Sequence, residues 1–279
     1  MNITVVGLGL IGGSLALALR GFQTHMIGVD KSPEHCQMAL ELGIIDVVLN
    51  LEEAVKIADL IILAIPVDAA RNTLSLILDL IPSKAVVVDM GSTKSGICQN
   101  VRNHSKRANY VASHPIAGTE YSGPKAAFSS LFNGKTTIIC EKELSADFAL
   151  KMVEEMYKLL NMKVVYMKPD EHDLHVAYVS HLSHISSFTL GLTVLDIEKN
   201  EKNILDLAGS GFASTVRLAK SSPEMWNPIF IQNKLHLSNA LAAYIKRLTE
   251  FKENMENGET AKLFDLMKEA NKIGRIIKS

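Results

Sequence analysis

The chain has 279 residues, is 47% hydrophobic and carries a formal net charge of -1, with 29 Lys and Arg against 30 Asp and Glu. That length supplies a full core for one large domain or two of ordinary size. The balanced charge implies no basic face of the kind a nucleic-acid partner needs, so no nucleic acid is expected, and small anions would bind through local Arg or Lys.

The first strand is predicted at residues 3–7, too early to leave room for a signal peptide. A helical stretch at 10–20 follows a group of glycines, and a second strand is predicted at 26–30. Residues 33–42 read as a helix stopped by Gly43, and 59–65 as a continuous apolar strand ended by Pro66. A helix over 67–80 and a strand over 85–90, apolar apart from Asp89, continue the alternation. Strands at 110–113, 136–140 and 163–167 extend the sheet. Strands apolar on both faces, alternating with helices, imply a doubly wound α/β fold with a parallel sheet, of the Rossmann type.

At Lys168-Pro169-Asp170 the pattern changes. Pro169 ends the last strand, and Asp170 is placed to cap a helix with Glu171 or Asp173 in its first turn. Helices are predicted at about 170–199, 223–254 and 259–277, with irregular turns around Gly209 and Gly211. The division is therefore 1–168, nucleotide-binding, and 169–279, all-α. A helical domain of this length is expected to bury surface against a second copy, giving a homodimer. Residues 174–195 contain no Asp, Glu, Lys or Arg and are long enough to span a bilayer. Their histidines, serines and threonines are wrong for lipid contact, so a buried helix of a soluble protein is expected. Cys36, Cys98 and Cys140 stand far apart without C-x-x-C spacing. A disulfide framework or thiolate zinc site is not expected, and a reducing cytoplasm fits.

Between the first strand and the first helix lies Gly7-Leu8-Gly9-Leu10-Ile11-Gly12, a G-x-G-x-x-G fingerprint. Gly7 permits the tight turn, Gly9 a close approach of pyrophosphate, and Gly12 close packing of helix on strand. Leu10 and Ile11 open the helix whose free N–H groups favour phosphate. Asp30 ends the second strand, where an acid binds a ribose 2′-hydroxyl and repels a 2′-phosphate. NAD is favoured over NADP, a preference that the adjacent Lys31 weakens.

His114, held by Pro115 in Ser113-His114-Pro115-Ile116-Ala117-Gly118-Thr119-Glu120, follows an apolar strand. Near neutral pKa it can take a hydroxyl proton while hydride leaves the same carbon. A lone histidine there could equally be a loop residue satisfied by backbone bonds. Two other segments favour chemistry. Residues 89–94, containing Ser92, lie at the carboxyl end of a parallel strand, outside which ligands bind. Ser180, His184 and Ser187 share one face of the uncharged helix, whereas His181 points elsewhere and reads as structural. Histidines 172, 175, 181 and 184 are dense but lack H-E-x-x-H spacing, and no metal is expected. Arg217 follows a glycine-containing turn, where a guanidinium suits a carboxylate; a plain surface arginine is the competing reading. Trp226, the only tryptophan, reads as core.

Taken together, these segments resemble the prephenate dehydrogenase family of tyrosine biosynthesis, with motifs at 7–14, 89–94, 113–120, 180–184 and 209–226 in the family's order and spacing. The resemblance implies NAD-dependent oxidative decarboxylation of prephenate to 4-hydroxyphenylpyruvate, carbon dioxide and NADH. It implies that His114 accepts the hydroxyl proton and that Ser92 hydrogen-bonds to His114 and substrate. It further implies that Arg217 holds a carboxylate, that Ser180 and His184 help bind substrate, and that Thr119 and Glu120 line the pocket. Many members carry a basic residue and then Asp after Gly-Gly-Gly-Phe. Here Ala213 and Ser214 stand at those positions and Ser210 replaces the middle glycine, so the partner of Glu120 is left open. The chain is expected to lack a fused chorismate mutase or regulatory domain. Rivals are arogenate dehydrogenase, a 3-hydroxyacid dehydrogenase needing a catalytic lysine such as Lys220 or Lys234, and a non-catalytic NAD sensor.

Overall fold

The computed structural model describes residues 1–21, 23–201 and 203–276. Valine- and isoleucine-rich runs form β1 (Asn2–Val6), β2 (His25–Val29), β3 (Val47–Val48), β4 (Leu60–Leu63), β5 (Val86–Asp89), β6 (Tyr110–Pro115), β7 (Thr136–Cys140) and β8 (Lys163–Met167). They make one sheet in the order β3-β2-β1-β4-β5-β6-β7-β8. The order reverses between β1 and β4, so the crevice that takes ligands in such sheets opens at their carboxyl ends. β1 to β6 are mutually parallel. The expected doubly wound parallel sheet is present, with one exception at the far edge, where β7 runs antiparallel to β6 and β8 parallel to β7. Between β6 and β7 the chain holds only the one-turn 3-10 helix Pro124–Ala126, with no helical crossover to return it to the starting edge.

The sheet is covered on both faces by α1 (Leu10–Leu19), α2 (Pro33–Glu41), α3 (Leu51–Lys56), α4 (Val67–Leu80), α5 (Ser95–Val101) and α6 (Asp147–Leu159). Successive strand residues point to opposite faces. Ile3, Val5, Ile62 and Val88 thus meet Leu15 of α1, Ala39 of α2 and Val153 of α6. Val6, Ile61, Leu63 and Val87 meet Val55 of α3, Leu74 of α4 and Ile97 of α5. The short α3 and α5, with 6 and 7 residues, carry too few turns for periodicity to show.

Beyond β8 the structure is helical: α7 (Pro169–Val176), a single π turn (Ala177–His181), α8 (Leu182–Glu198), α9 (Ser210–Thr215), α10 (Pro223–Gln232), α11 (Lys234–Glu256), α12 (Thr260–Ala270) and α13 (Ile273–Ile276). Lys168 is the N-cap of α7 and Pro169 its first residue, so Asp170 lies inside the first turn rather than capping it. The expected helix over 223–254 is broken at Asn233, whose buried side chain donates to the Asp173 carbonyl (2.7 Å) instead of facing solvent. Gly209 caps α9, a short helix where an irregular turn was expected. The uncharged stretch is not buried as expected. Ser187 is the buried residue of α8, while Leu192 and Leu195 are 61% and 51% exposed. Among the described residues no helix is long and apolar enough to cross a membrane.

Two compact units result, Met1–Lys234 and Leu235–Ser279. The first contains the sheet, α1 to α10 and all the residues of the candidate site. Trp226 is buried there with Val67, Ile229 and Phe230, as its reading as core implied.

A Cβ on Gly12 would lie 1.9 Å from the Gly7 carbonyl oxygen and 2.9 Å from Val5 Cγ1. Gly12→Ala is therefore expected to lower stability by about 1–3 kcal/mol through overpacking. Urea unfolding checks this, and an unchanged midpoint would contradict the close packing of α1 on β1.

Candidate active site

The nucleotide cradle sits at the carboxyl end of β1. Gly7 has φ +99°, and its N–H donates to the Val29 carbonyl (2.8 Å), turning the chain from strand to helix. The first intrahelical bond at the start of α1 runs from Gly13 N to Gly9 O (2.9 Å). The N–H groups of Leu10, Ile11 and Gly12 therefore have no acceptor within the helix. No side chain caps this terminus and no acid occupies its first turn. The position a Cβ would take on Gly9 is open, which suits a close-lying pyrophosphate. The side chain of Leu10 packs in the core, so its contribution at this site is its backbone N–H. Asp30 accepts from Leu8 N (2.8 Å) and Ser32 N (2.9 Å), which fixes its carboxylate beside the glycine loop. The residues present fit a dinucleotide.

The loop after β5 is held from below by a buried ion pair. Lys94 Nζ meets Asp89, whose carboxylate also accepts from Gly91 N (2.9 Å), Tyr110 Oη (2.7 Å) and Ser113 N (3.1 Å). Every partner is supplied within the core, the condition under which a buried pair is tolerated. Above it, Asp173 of α7 accepts from Lys94 N (2.7 Å) and Ser95 N (2.8 Å), capping α5. It also bonds to His172 Nδ1 (2.8 Å), and His172 Nε2 lies 2.8 Å from His114 Nδ1.

Burial, with His172, Lys94 and His181 nearby, holds the His114 pKa well below 6.5. Burial likewise lowers that of His172 against the pull of Asp173. Burial opposes ionisation of Asp173, but the His172 hydrogen bond and two backbone N–H groups still hold its carboxyl below the usual range.

The second half of the site comes from the π turn and the helices after it. His181 is fully buried, pairs with Asn233 Nδ2 (3.1 Å) and meets Trp226 edge-on. It is structural, as expected. His184 stacks on Trp226 at 3.5 Å between ring centroids and bonds through Nδ1 to the Ser180 carbonyl (3.0 Å). A nitrogen facing a carbonyl carries the hydrogen, so neutral His184 offers Nε2 as an acceptor. Its pKa is lowered, first by burial and further by Arg217. Arg217 donates to Glu120 (2.9 Å), which answers what pairs with Glu120. The backbone N–H of Glu120, opposed by partial burial and aided by Arg217, holds its carboxyl below the usual range.

Contacts thus run from His114 through His172, Asp173, Asn233, His181 and Trp226 to His184, and Arg217 joins Glu120 beside them. Ser92 is partly exposed on the loop after β5, but among the described residues no hydrogen bond joins it to His114, whose Nδ1 is taken by His172. Thr119 is exposed and accepts from Tyr121 N (3.2 Å). Ser180 contributes its carbonyl within the π turn. Ser187 donates to the Thr215 carbonyl (3.0 Å) and accepts from Ala219 N (3.1 Å), so it ties α8 to the chain on both sides of Arg217. Sequence reading missed His172, Asp173 and the stacking role of Trp226. The signal available was a His-Asp pair one turn into a helix, read as helix-start chemistry.

Two family patterns match, described as "Prephenate dehydrogenase, nucleotide-binding domain" over residues 14–166 and "Prephenate dehydrogenase, dimerization domain" over 168–269. The chain is 31% identical to a prephenate dehydrogenase of Bacillus subtilis (strain 168), over 96% of this chain and 74% of that one. It is similar to the structure of prephenate dehydrogenase from A. aeolicus in complex with hydroxyphenyl propionate and NAD+, with TM-score 0.90, 33% identity, and 99% and 97% of the two chains covered. It also resembles Synechocystis arogenate dehydrogenase, with TM-score 0.78, 27% identity, and 99% and 100% covered.

Burial pushes His181 down to about 4 from 6.5. Below pH 6.5 the unfolded chain takes a proton that the native ring refuses, so stability falls as pH drops from 6.5 towards 4. At about 1.36 kcal/mol per unit this one group removes roughly 3 kcal/mol by the end of that window. Tm measured from pH 7 to pH 4 should fall steadily, and the slope should be shallower in His181→Asn. A flat profile would contradict the neutral buried ring.

Proposed function

The chain belongs to the prephenate dehydrogenase family, and on that premise we propose that it oxidises prephenate with NAD, releasing carbon dioxide and forming 4-hydroxyphenylpyruvate and NADH. The observation that carries this reading is His114, kept neutral at the carboxyl end of β6 with Nδ1 bonded to His172. That leaves Nε2 to take a proton. The α1 terminus and Asp30 hold the dinucleotide, and the acid at the ribose favours NAD over NADP. NAD, when bound, supplies the nicotinamide that takes hydride from the ring carbon bearing the hydroxyl.

His114 Nε2 takes the hydroxyl proton as that carbon becomes a carbonyl, and loss of carbon dioxide makes the ring aromatic. The chain therefore has to supply little beyond position and a base. Arg217 holds a substrate carboxylate, because neutral His184 presents an acceptor and cannot donate to an anion from Nε2. Ser92, on the loop after β5, bonds to substrate, Ser180 and His184 line the ring, and Thr119 and Glu120 close the pocket. Residues 169–279 form the substrate-binding and dimerisation region, with exposed apolar residues of α8 such as Leu192 and Leu195 facing a second copy. Prephenate is assigned over arogenate because the more similar relatives carry that name.

NADH formation with prephenate or arogenate, each with NAD or NADP, tests the assignment. Fast turnover of prephenate with NAD is expected. An arogenate preference would change the substrate, and NAD binding without turnover of any pair would favour a redox sensor. His114→Asn should lower kcat at least about 10²-fold with NAD binding kept. A near-normal rate would remove His114 as the base. Arg217→Ala should raise KM for prephenate about 10-fold or more, the equivalent of a charge-assisted hydrogen bond of about 1.5–3 kcal/mol. An unchanged KM would place the carboxylate elsewhere.

A further inference from the structure

His172 and, beyond it, Asp173 lie on the Nδ1 side of His114, away from the Nε2 that is read as taking the proton, so proton transfer to Nε2 touches neither. We propose that they are positioning residues: they fix His114 in the tautomer whose Nε2 is unprotonated, and they steady the imidazolium once the hydroxyl proton has arrived. The proposal rests on the reading of His114 as the base and names the groups that make it one.

The geometry dictates the proton positions. A carboxylate oxygen can only accept, so Asp173 Oδ1 at 2.8 Å requires a hydrogen on His172 Nδ1. Neutral His172 then has a lone pair at Nε2. His114 Nδ1, 2.8 Å away, must supply the hydrogen for that contact, which leaves its own Nε2 bare. The ring planes are twisted 70° apart with centroids at 5.0 Å, so the two nitrogens meet edge to edge at 2.8 Å, the arrangement in which the N–H of one aims at the in-plane lone pair of the other. The chain is held rigidly. His172 is 0% and Asp173 3% exposed, and Asp173 cannot turn without releasing Lys94 N and Ser95 N at the start of α5.

The surroundings favour a neutral resting state. Lys94 and His181 face His114 and oppose a positive ring, as does His172 itself. Lys94 is paired with Asp89, and Asp89 and Asp173 favour charge on His172. When a proton reaches Nε2 of His114, its Nδ1–H still donates to His172, whose Nδ1–H donates to Asp173. The new positive charge is stabilised through two aligned hydrogen bonds without further proton transfer.

Two substitutions separate this from packing. In His172→Gln the amide oxygen can stand near the place of Nε2 and accept from His114. In His172→Asn the shorter side chain reaches Asp173 but leaves His114 Nδ1 without an acceptor. We expect His172→Asn to lower kcat about 10²-fold while KM for prephenate and affinity for NAD stay within about twofold. His172→Gln should recover most of the rate. Equal losses in both variants, following Tm, would overturn the proposal in favour of a structural role, and so would wild-type rates in both.

His114→Asn run alongside keeps the two readings apart. If it is inactive while both His172 variants are normal, only the positioning role fails. If it is active, the base assignment fails and takes the proposal with it. Should neither His172 variant fold, 15N NMR of imidazole-labelled unsubstituted protein decides. A bare Nε2 on His114 supports the proposal, and a protonated Nε2 overturns it.

Discussion

Asp173 accepts hydrogen bonds from the backbone N–H groups of Lys94 and Ser95 and from the ring of His172. Those donors belong to two parts of the fold with no other reason to be in register, the loop leaving β5 and the first turn of α7. A negative group at the start of α5 is favoured by the unpaired N–H groups and the helix dipole there. The same carboxylate orients an imidazole at its other edge. Its own backbone carbonyl accepts from Asn233, which brings the end of α10 to the same point. The loop, the His172–His114 pair and the helix carrying Trp226 therefore meet at a single residue, and Thr93 adds a second tie from the loop to Gln232 (2.7 Å). Removing a buried charge of this kind would strand several donors at once, at a cost of about 3–5 kcal/mol.

Around that tie the histidines are held neutral and the cations are paired with carboxylates. Burial lowers the pKa of His114, His172, His181 and His184. Lys94 is spent on Asp89. Arg217, with half of its side chain exposed, pairs with Glu120.

Most of the fold was legible because the relevant patterns are local. Apolar strands, stop glycines and the Gly7 to Gly12 fingerprint declare themselves within a few residues. His114 and Arg217 were singled out because each sits in a segment with a distinctive neighbourhood. The antiparallel β7 was not legible, since strand direction depends on a connection rather than on composition. The break at Asn233 and the value of Asp173 were hidden for a related reason. Both residues spend their side chains on partners far away in the chain, and nothing adjacent marks them. The uncharged helix was misjudged as buried because an apolar run shows that a surface wants covering without showing that this protomer covers it.

The π turn at Ala177–His181 has a consequence for how this helical segment can change over evolutionary time. Each residue of an α-helix advances the side-chain direction by about 100°. A turn holding one residue more than its neighbours acts as a phase shifter within the helix. Upstream of it, His172 and Asp173 face the strand-end loop. Downstream, His184 meets Trp226 and Ser187 meets the turn before Arg217. The two halves are in phase with different partners. A one-residue deletion inside the turn would leave a more regular helix and still scramble the site, because no rotation of the whole rod can satisfy both sets of contacts. Helix length between these halves is thus under tighter constraint than helix stability alone would impose.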